Sequence, residues 1–266
     1  GLSFNISTGV ISGSPTTSII PTDYTVTACN TGGCTNVVVK IWINETPVAQ
    51  LTAPNKVNFP NVITLNASTS SDIDFIYSQS PPYNAVPVSL VYSWKIISKP
   101  AGSVLTDSSF SNLTGSITNI TPDQKGTYIF EVTLRDGYVN SNPVTRTVRV
   151  GNAPNGFAYS PQVRSVTRGQ NLSNWNPTLA GDPAVFSISP ALPSGITLNP
   201  STGIISGTPS ISSLPQIYTV TASNDGGDAT YPITLWVNEI PTVDSIANIS
   251  GLTKNVQYTF SGITIT

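Results

Sequence analysis

The chain has 266 residues, of which only 9% are charged, with a net charge of −2 and no histidine. This low and balanced charge does not indicate a basic surface that would bind nucleic acid or an anionic membrane. The absence of histidine excludes Ser-His and Cys-His catalysis and removes the commonest zinc ligand. No apolar run approaches the roughly 20 residues of a spanning helix, so we expect no membrane insertion in this segment.

Residues 1–47 contain two runs in which apolar and polar side chains alternate. Tyr24, Val26 and Ala28 share one face of the first run, and the second run, Val39–Ile43, has the same period. A period of two residues with polar partners predicts half-buried strands of a β-sandwich.

Cys29 and Cys34 flank a four-residue, glycine-containing turn between these two runs. The spacing predicts a β-hairpin with both cysteines at its neck, where facing residues have the Cβ separation that a disulfide needs. We therefore expect a Cys29–Cys34 disulfide, in preference to a metal or redox site. A disulfide in turn implies an oxidising compartment.

Residues 48–151 form a different unit. Trp94 lies at the centre of a predicted strand, and Asp123–Tyr128 has the Asp-x-x-Gly-x-Tyr pattern of a tyrosine corner. The runs LNASTSSDID, YSWKIISKPAGS and ITPDQKGTYIFEVTLRDG, in this order, resemble a polycystic-kidney-disease-type (PKD-like) domain. One departure from that family is an insertion rich in Tyr and Pro, Phe75–Val86.

Residues 152–241 form a third unit. Its runs LPSGITLNPSTGIISGTP and YTVTASN resemble the immunoglobulin-like repeat of the He_PIG type, and the resemblance covers nearly all of residues 156–238. The resemblance implies a complete immunoglobulin-like sandwich.

The chain contains an internal repeat. Gly195–Pro241 aligns with Gly1–Pro47 without a gap, at a constant shift of 194 residues, and about half of the aligned positions are identical. Residues 1–47 are therefore predicted to be the C-terminal half of a He_PIG-type domain. Residues 242–266 are predicted to start a further PKD-like domain, so we expect the chain to be part of a longer array.

The patterns of these units together predict an all-β protein of tandem immunoglobulin-like sandwiches arranged as an extended rod. The linkers Asn44–Pro47 and Asn238–Pro241 are short and end in proline, which restricts itself and the residue before it. Residues 1–47 lack the strands that correspond to residues 152–194. We expect those strands to precede Gly1 in the same covalent chain, rather than to come from an abutting subunit.

Three carboxylates are candidates for a calcium site. Asp72, Asp74 and Asp136 are expected to collect at one end of the PKD-like sandwich, and calcium prefers several carboxylate and carbonyl oxygens. The resemblance also implies calcium, because some PKD-like domains hold it in the corresponding turn. Phe75 and Ile76 replace the third acid of the family's D-x-D-G-D run, so a plain Asx-type turn is the alternative. Calcium is the one cofactor considered.

Two tryptophans are candidates for interdomain contacts. Trp42 and Trp236 occupy matching repeat positions on the outward face of their strands, each five residues before a linker proline. An outward indole either stacks on a ligand such as a glycan or packs against a neighbouring domain. We favour the contact with the following domain.

The predicted function is that of a structural segment of a large secreted or cell-surface repeat protein, such as a stalk, fibre or filament. The alternatives are an adhesin segment that binds ligands of a host or neighbouring cell, and a spacer in a secreted hydrolase. We expect no enzymatic activity, because no catalytic pattern is present. The expected partners are neighbouring repeats and other copies in a fibre, and the expected location is extracellular or at the cell surface.

Overall fold

The regular secondary structure of the described residues is almost entirely β-strand. The described part of the computed structural model has one short helical segment, the 3-10 turn Asp107–Ser109. The prediction of an all-β protein is therefore confirmed. The chain divides into two compact units, Gly1–Gly151 and Asn152–Thr266. The structure describes residues 1–72, 75–77, 85–87, 89–241 and 253–254.

Residues 1–43 open the first unit with two antiparallel pairs. β1 (Leu2–Phe4) pairs with β2 (Ile11–Gly13), and β3 (Ile19–Asn30) pairs with β4 (Gly33–Ile43). The apolar side chains that alternate along β3 and β4 are partly or fully exposed. The predicted strands are present, but the side chains that should form a core are open to solvent.

The rest of the first unit is a sandwich. Its strands are β5 (Lys56–Asn58), β6 (Ile63–Asn66), β7 (Phe75–Tyr77), β8 (Ala85–Pro87), β9 (Val91–Ser98), β10 (Ile117–Ile120), β11 (Gly126–Arg135) and β12 (Val144–Gly151). One sheet has the order β5-β12-β11-β9, with β5 parallel to β12. The strands β6 and β10 form a second, antiparallel pair. The antiparallel pair β7–β8 covers both ends of the predicted insertion Phe75–Val86 and ends one residue beyond it.

The core of this sandwich is built on aromatic side chains. Trp94 is buried, and its Nε1 donates to the carbonyl of Gly115 at 2.9 Å. Tyr128 is also buried, and its hydroxyl donates to the carbonyl of Gln124 at 2.8 Å while accepting from the Gln124 amide at 3.1 Å. This is the geometry of a tyrosine corner, which ties the loop before β11 to the sheet.

The second unit is a separate sandwich. Its strands are β13 (Asn155–Tyr159), β14 (Val163–Thr167), β15 (Leu172–Trp175), β16 (Pro177–Ala180), β17 (Val185–Ser189), β18 (Ile196–Leu198), β19 (Ile205–Gly207), β20 (Ser213–Asn224) and β21 (Gly227–Asn238). One sheet has the order β14-β21-β20-β17, with β14 parallel to β21. A second sheet has the order β15-β19-β18, and β13 pairs with β16.

The core of the second unit is built around Trp175 and Tyr159. Both side chains are buried, and the Trp175 Nε1 donates to the carbonyl of Pro161 at 2.9 Å. The Tyr159 hydroxyl donates to the carbonyl of Gly203. Gly203 has a φ of +71°, and a Cβ there would meet the rings of Phe186 and Pro177 at 2.8 Å. The Ser-Thr-Gly turn therefore requires glycine both for its backbone conformation and for space.

Candidate functional site

The segment Asn44–Pro47 is hydrogen-bonded to the sandwich that contains β5 to β12. The Asn44 Nδ2 donates to the Asp136 Oδ2 at 2.7 Å and to the carbonyl of Glu45 at 2.8 Å. Pro47 is buried, and the next residue, Val48, exchanges backbone hydrogen bonds of 2.8 and 3.1 Å with Ser71. Polar and apolar contacts thus hold the chain where it passes from one predicted domain to the next.

Asp136 is a buried carboxylate at the end of β11. Its side chain is 1% exposed. The Oδ1 accepts the backbone amides of Tyr138 and Val139 at 2.6 and 2.8 Å, which is the geometry of an Asx turn. Together with Asn44, these amides give the buried carboxylate the hydrogen-bond partners that its burial requires.

Burial alone would raise the pKa of Asp136, because it disfavours the charged form. The hydrogen bonds from Asn44 and from the amides of Tyr138 and Val139 act in the opposite direction and outweigh burial. The net effect is a pKa below the ordinary value of an aspartate. The linker therefore binds an ionised carboxylate, and hydrogen bonds to a charged acceptor are stronger than those between neutral groups.

The three candidate calcium ligands are not seen together. Asp72 is partly buried and Asp136 makes the contacts just described, whereas Asp74 lies outside the described residues. Within the ranges that the structure describes, no three His, Cys, Asp or Glu side chains converge on a common point. The observed contacts of Asp136 are those of an Asx turn, and calcium binding stays a prediction.

The two cysteines face each other across the β3–β4 hairpin. Cys29 pairs with Cys34 in the strand register, and their Sγ atoms are joined at 2.10 Å. The second copy has Ser223 and Asp228 at these positions, and the Ser223 hydroxyl donates to the Asp228 Oδ1 at 2.6 Å. The two copies therefore close the same hairpin neck by different chemistry.

The two tryptophans lie at equivalent positions near the ends of β4 and β21. Trp42 and Trp236 are both partly buried. The Trp236 Nε1 donates to the Asn238 Oδ1 at 3.0 Å, and its ring lines an open groove of about 480 Å³ with Leu214 and Pro215. Apart from residues 253 and 254, the chain after Pro241 lies outside the described residues, so the contact expected there stays a prediction.

The sequence did not predict the hydrogen bond between Asn44 and Asp136 or the burial of Trp175. The partner of Asn44 is 92 residues away along the chain, and no local pattern indicates such a pair. Trp175 stands between two asparagines, which gives it no alternating apolar neighbours, although it is buried in the core of the second unit. The sequence signal for the linker is the pattern Trp-x-Asn-Glu-x-Pro, which occurs at residues 42–47 and again at residues 236–241.

Comparisons with known proteins agree with the immunoglobulin-like class. The family model He_PIG, described as "Putative Ig domain", matches residues 152–238. A comparison with curated proteins gives no match. The chain is an all-β protein, and its residues 152–238 match an immunoglobulin-like domain.

The solved structures that align with this chain include the following three. The extracellular domains 3–5 of Drosophila OTK align over 88% of this chain and 76% of that chain, with 11% identity and a TM-score of 0.40. The N-terminal eight Ig domains of Down Syndrome Cell Adhesion Molecule align over 82% of this chain, with 13% identity and a TM-score of 0.35, and this chain spans 28% of that eight-domain chain. The titin fragment I67–I69 aligns over 76% of this chain and 69% of that one, with 14% identity and a TM-score of 0.32.

In the described part of the chain, no helix has the length and apolar character needed to cross a membrane.

Proposed function

We propose that this chain is a structural segment of a secreted or cell-surface repeat protein, in which He_PIG-type and PKD-like domains alternate along a stalk or fibre. Its work is to provide length and stiffness. Its partners are neighbouring repeats of the same protein and other copies in the fibre.

The contacts that hold the linker Asn44–Pro47 in place are the observation that carries this proposal. A stalk transmits force and holds its length only if successive domains cannot pivot freely. Asn44 binds the buried carboxylate of Asp136, and the buried Pro47 fixes its own φ. A linker held in this way supports a stiff connection rather than a flexible one.

The same linker pattern occurs twice. Trp42, Asn44 and Pro47 recur as Trp236, Asn238 and Pro241. The Glu239 carboxylate forms an ion pair with Arg168 at 3.2 Å, and the carbonyl of Asn238 accepts the backbone amide of Arg168. The second linker thus leaves its domain in a defined direction, and this also favours an ordered junction.

The disulfide supports a location outside the reducing cytoplasm. The Cys29–Cys34 bond closes a short hairpin, and such bonds form and persist in oxidising environments. The low share of charged side chains, with Ser, Thr and Asn providing the polar surface, is compatible with a secreted stalk.

Immunogold labelling tests the proposal on the intact cell. Antibodies raised against residues 152–238 would be applied to whole cells and to shed material, followed by electron microscopy. A stalk predicts labels at repeated positions along a filament or surface projection. Label confined to a tip would contradict the proposal in favour of an adhesin. Label on a soluble secreted enzyme would contradict it in favour of a spacer.

A further inference from the structure

Both copies of the repeat carry a β-bulge at the same place in their long hairpins. The register of β3 against β4 shifts between residues 19 and 22, and that of β20 against β21 shifts between residues 213 and 216. In each hairpin an aliphatic residue and a proline thus lie opposite a single tryptophan. We call these residues the bulge patch, and its members are Ile20, Pro21 and Trp42 in the first unit and Leu214, Pro215 and Trp236 in the second.

The bulge presents its aliphatic side chain to solvent. Ile20 is 73% exposed and Leu214 is 86% exposed. A bulge leaves its extra residue outside the ladder and re-aims the side chain, and proline, which has no amide hydrogen, is tolerated in strands at such positions. Single exposed apolar residues are common on soluble proteins. The informative feature is therefore that the same bulge, beside a tryptophan, displays one in both copies.

The neighbouring elements of the chain do not account for this exposure. Leu214 is exposed in a unit that contains β13 to β17, the strands that precede the second repeat copy. Ile20 is exposed in a unit that contains β5 to β12, the sandwich that follows the first repeat copy. Each copy has the neighbour that the other lacks among the described residues. Neither the preceding strands nor the following sandwich therefore covers this position of the repeat.

In the second unit, the bulge patch combines an exposed aliphatic side chain with a groove. The groove of about 480 Å³ beside Trp236 is open to solvent, and Leu214 and Pro215 form part of its lining. The indole is held in place because its Nε1 donates to the Asn238 Oδ1 at 3.0 Å. A surface that carries both an apolar side chain and an apolar groove is complementary to itself, which is the requirement for a two-fold contact between identical chains.

We propose that the bulge patch is a lateral contact surface between copies of this chain. Leu214 of one copy enters the groove beside Trp236 of the other, and Ile20 makes the equivalent contact beside Trp42. The inference rests on the proposed fibre, and it adds to that function the surface through which neighbouring copies adhere side by side.

The recurrence of the patch at a fixed shift favours another copy over an unrelated partner. A patch of three residues is far smaller than the roughly 800 Å² per partner of a stable interface, so one contact alone is weak. Patches that recur along one chain meet those of a neighbouring chain with the same spacing, and their contacts then act together. A partner with one binding site would use only one patch.

Charge does not oppose this contact. The bulge patch has no charged member, and the Glu239 carboxylate at the groove forms an ion pair with Arg168 at 3.2 Å. Two copies that meet at this surface therefore bring together paired rather than uncompensated charges.

The four tryptophans of the chain provide a site-resolved test. The indole N–H resonances of the full, ¹⁵N-labelled chain are recorded by NMR from about 10 μM to about 1 mM, the range in which weak contacts associate. Trp42 and Trp236 report on the two bulge patches. Trp94 and Trp175 are buried in the two cores, so their signals are internal references and show that each variant is folded.

Two double variants separate the bulge patch from other exposed apolar residues. The patch variant carries Ile20→Ser and Leu214→Ser. The matched control carries Ile6→Ser and Val104→Ser, at side chains that are 90% and 80% exposed and lie outside the patch. Both variants remove two exposed aliphatic side chains, so they differ in the position of the change rather than in its chemistry.

In the parent and the control, we expect the Trp42 and Trp236 signals to move progressively with concentration while those of Trp94 and Trp175 stay fixed. In the patch variant, all four signals should stay fixed. Signals that do not move in the parent, or that move equally in the patch variant, would overturn the proposal. Movement caused by an added soluble glucan, but not by the concentration of the protein, would overturn it in favour of a carbohydrate ligand.

The same measurements separate this inference from the proposed function. Fixed indole signals together with immunogold label along a filament would reject the lateral surface and leave the stalk. Concentration-dependent indole signals together with label confined to a tip would reject the stalk and leave the contact between copies.

Discussion

Asp136 shows how one buried group ties two distant segments together. Its carboxylate accepts two amides of its own turn and the side chain of Asn44. An ionised group in a buried site is costly unless it is fully hydrogen-bonded. Removing the linker's donor should therefore cost more than removing an ordinary surface amide.

The substitution Asn44→Ala tests this contact. We expect it to lower the free energy of unfolding of the first unit by about 1.5–3 kcal/mol, the range for a lost hydrogen bond to a charged group. The measurement is denaturant unfolding of the full chain, with Asn36→Ala, at an exposed position of β4, as the matched control. A loss no larger than that of the control would contradict the role given to Asn44.

The acid stability of the first unit provides a second test. The folded state lowers the pKa of Asp136, so this carboxylate stabilises the fold above its unfolded pKa of about 3.9. The contribution should fade as the pH falls below about 4 and through the lower folded value. In Asp136→Asn, the loss of stability between about pH 5 and pH 2 should be shallower than in the parent. Identical acid profiles would argue against an ionised, hydrogen-bonded Asp136.

Tyr128 is a second buried residue whose polar group hydrogen-bonds a loop of the first unit. Its hydroxyl makes two hydrogen bonds with the backbone of Gln124. We expect Tyr128→Phe to destabilise the first unit by about 1–2 kcal/mol, because the Gln124 backbone groups lose a partner. The exposed Tyr138 offers a control, since Tyr138→Phe removes a hydroxyl at the surface. Equal melting temperatures for the two variants would refute a structural role for the corner.

At the scale of the element, the hairpins β3–β4 and β20–β21 have equivalent strand registers but different cross-strand bonds next to the turn. A disulfide joins the neck of the first, and the Ser223–Asp228 hydrogen bond joins the neck of the second. The closure is therefore interchangeable, and the alternating side chains and the glycine turn are what the hairpin needs.

Exchanging the closures tests this conclusion. We expect Cys29→Ser with Cys34→Asp to keep the hairpin and to lose about 2 kcal/mol of stability, the chain-entropy effect of a short disulfide loop. The double variant Cys29→Ala with Cys34→Ala, which has neither closure, should lose slightly more. Chemical shifts of β3 and β4 amides report the hairpin. Their collapse to unfolded values in the Ser-Asp variant would show that the disulfide is essential.

Local patterns in the sequence predicted the strands and some of the core, but not the long-range pairs. The two-residue period located β3 and β4, and the Asp-x-x-Gly-x-Tyr run located Tyr128, because these features involve neighbours along the chain. The parallel pairing of β14 with β21 and the Asn44–Asp136 bond join residues far apart in the chain. Such pairs leave no periodicity, and only the completed fold brings them together.

At the scale of the whole molecule, the repeat length is the central quantity. The sequence repeats itself at a shift of 194 residues, a length that can hold two domains of about 100 residues, each with its own core. The aromatic clusters around Trp94 and Trp175 are such cores. The proposed stalk function requires, in addition, that the domains follow one another end to end.

The axial repeat of the intact fibre tests this claim most directly. A sandwich strand of about 10 residues at about 3.3 Å per residue gives about 35–40 Å per domain, and so about 70–90 Å per composite unit laid end to end. Cryo-electron microscopy of the native structures, with averaging along the axis, measures this spacing. A regular repeat within that range is the result we predict. A spacing near half that value, from domains folded side by side, or no regular spacing at all, would contradict a stiff stalk.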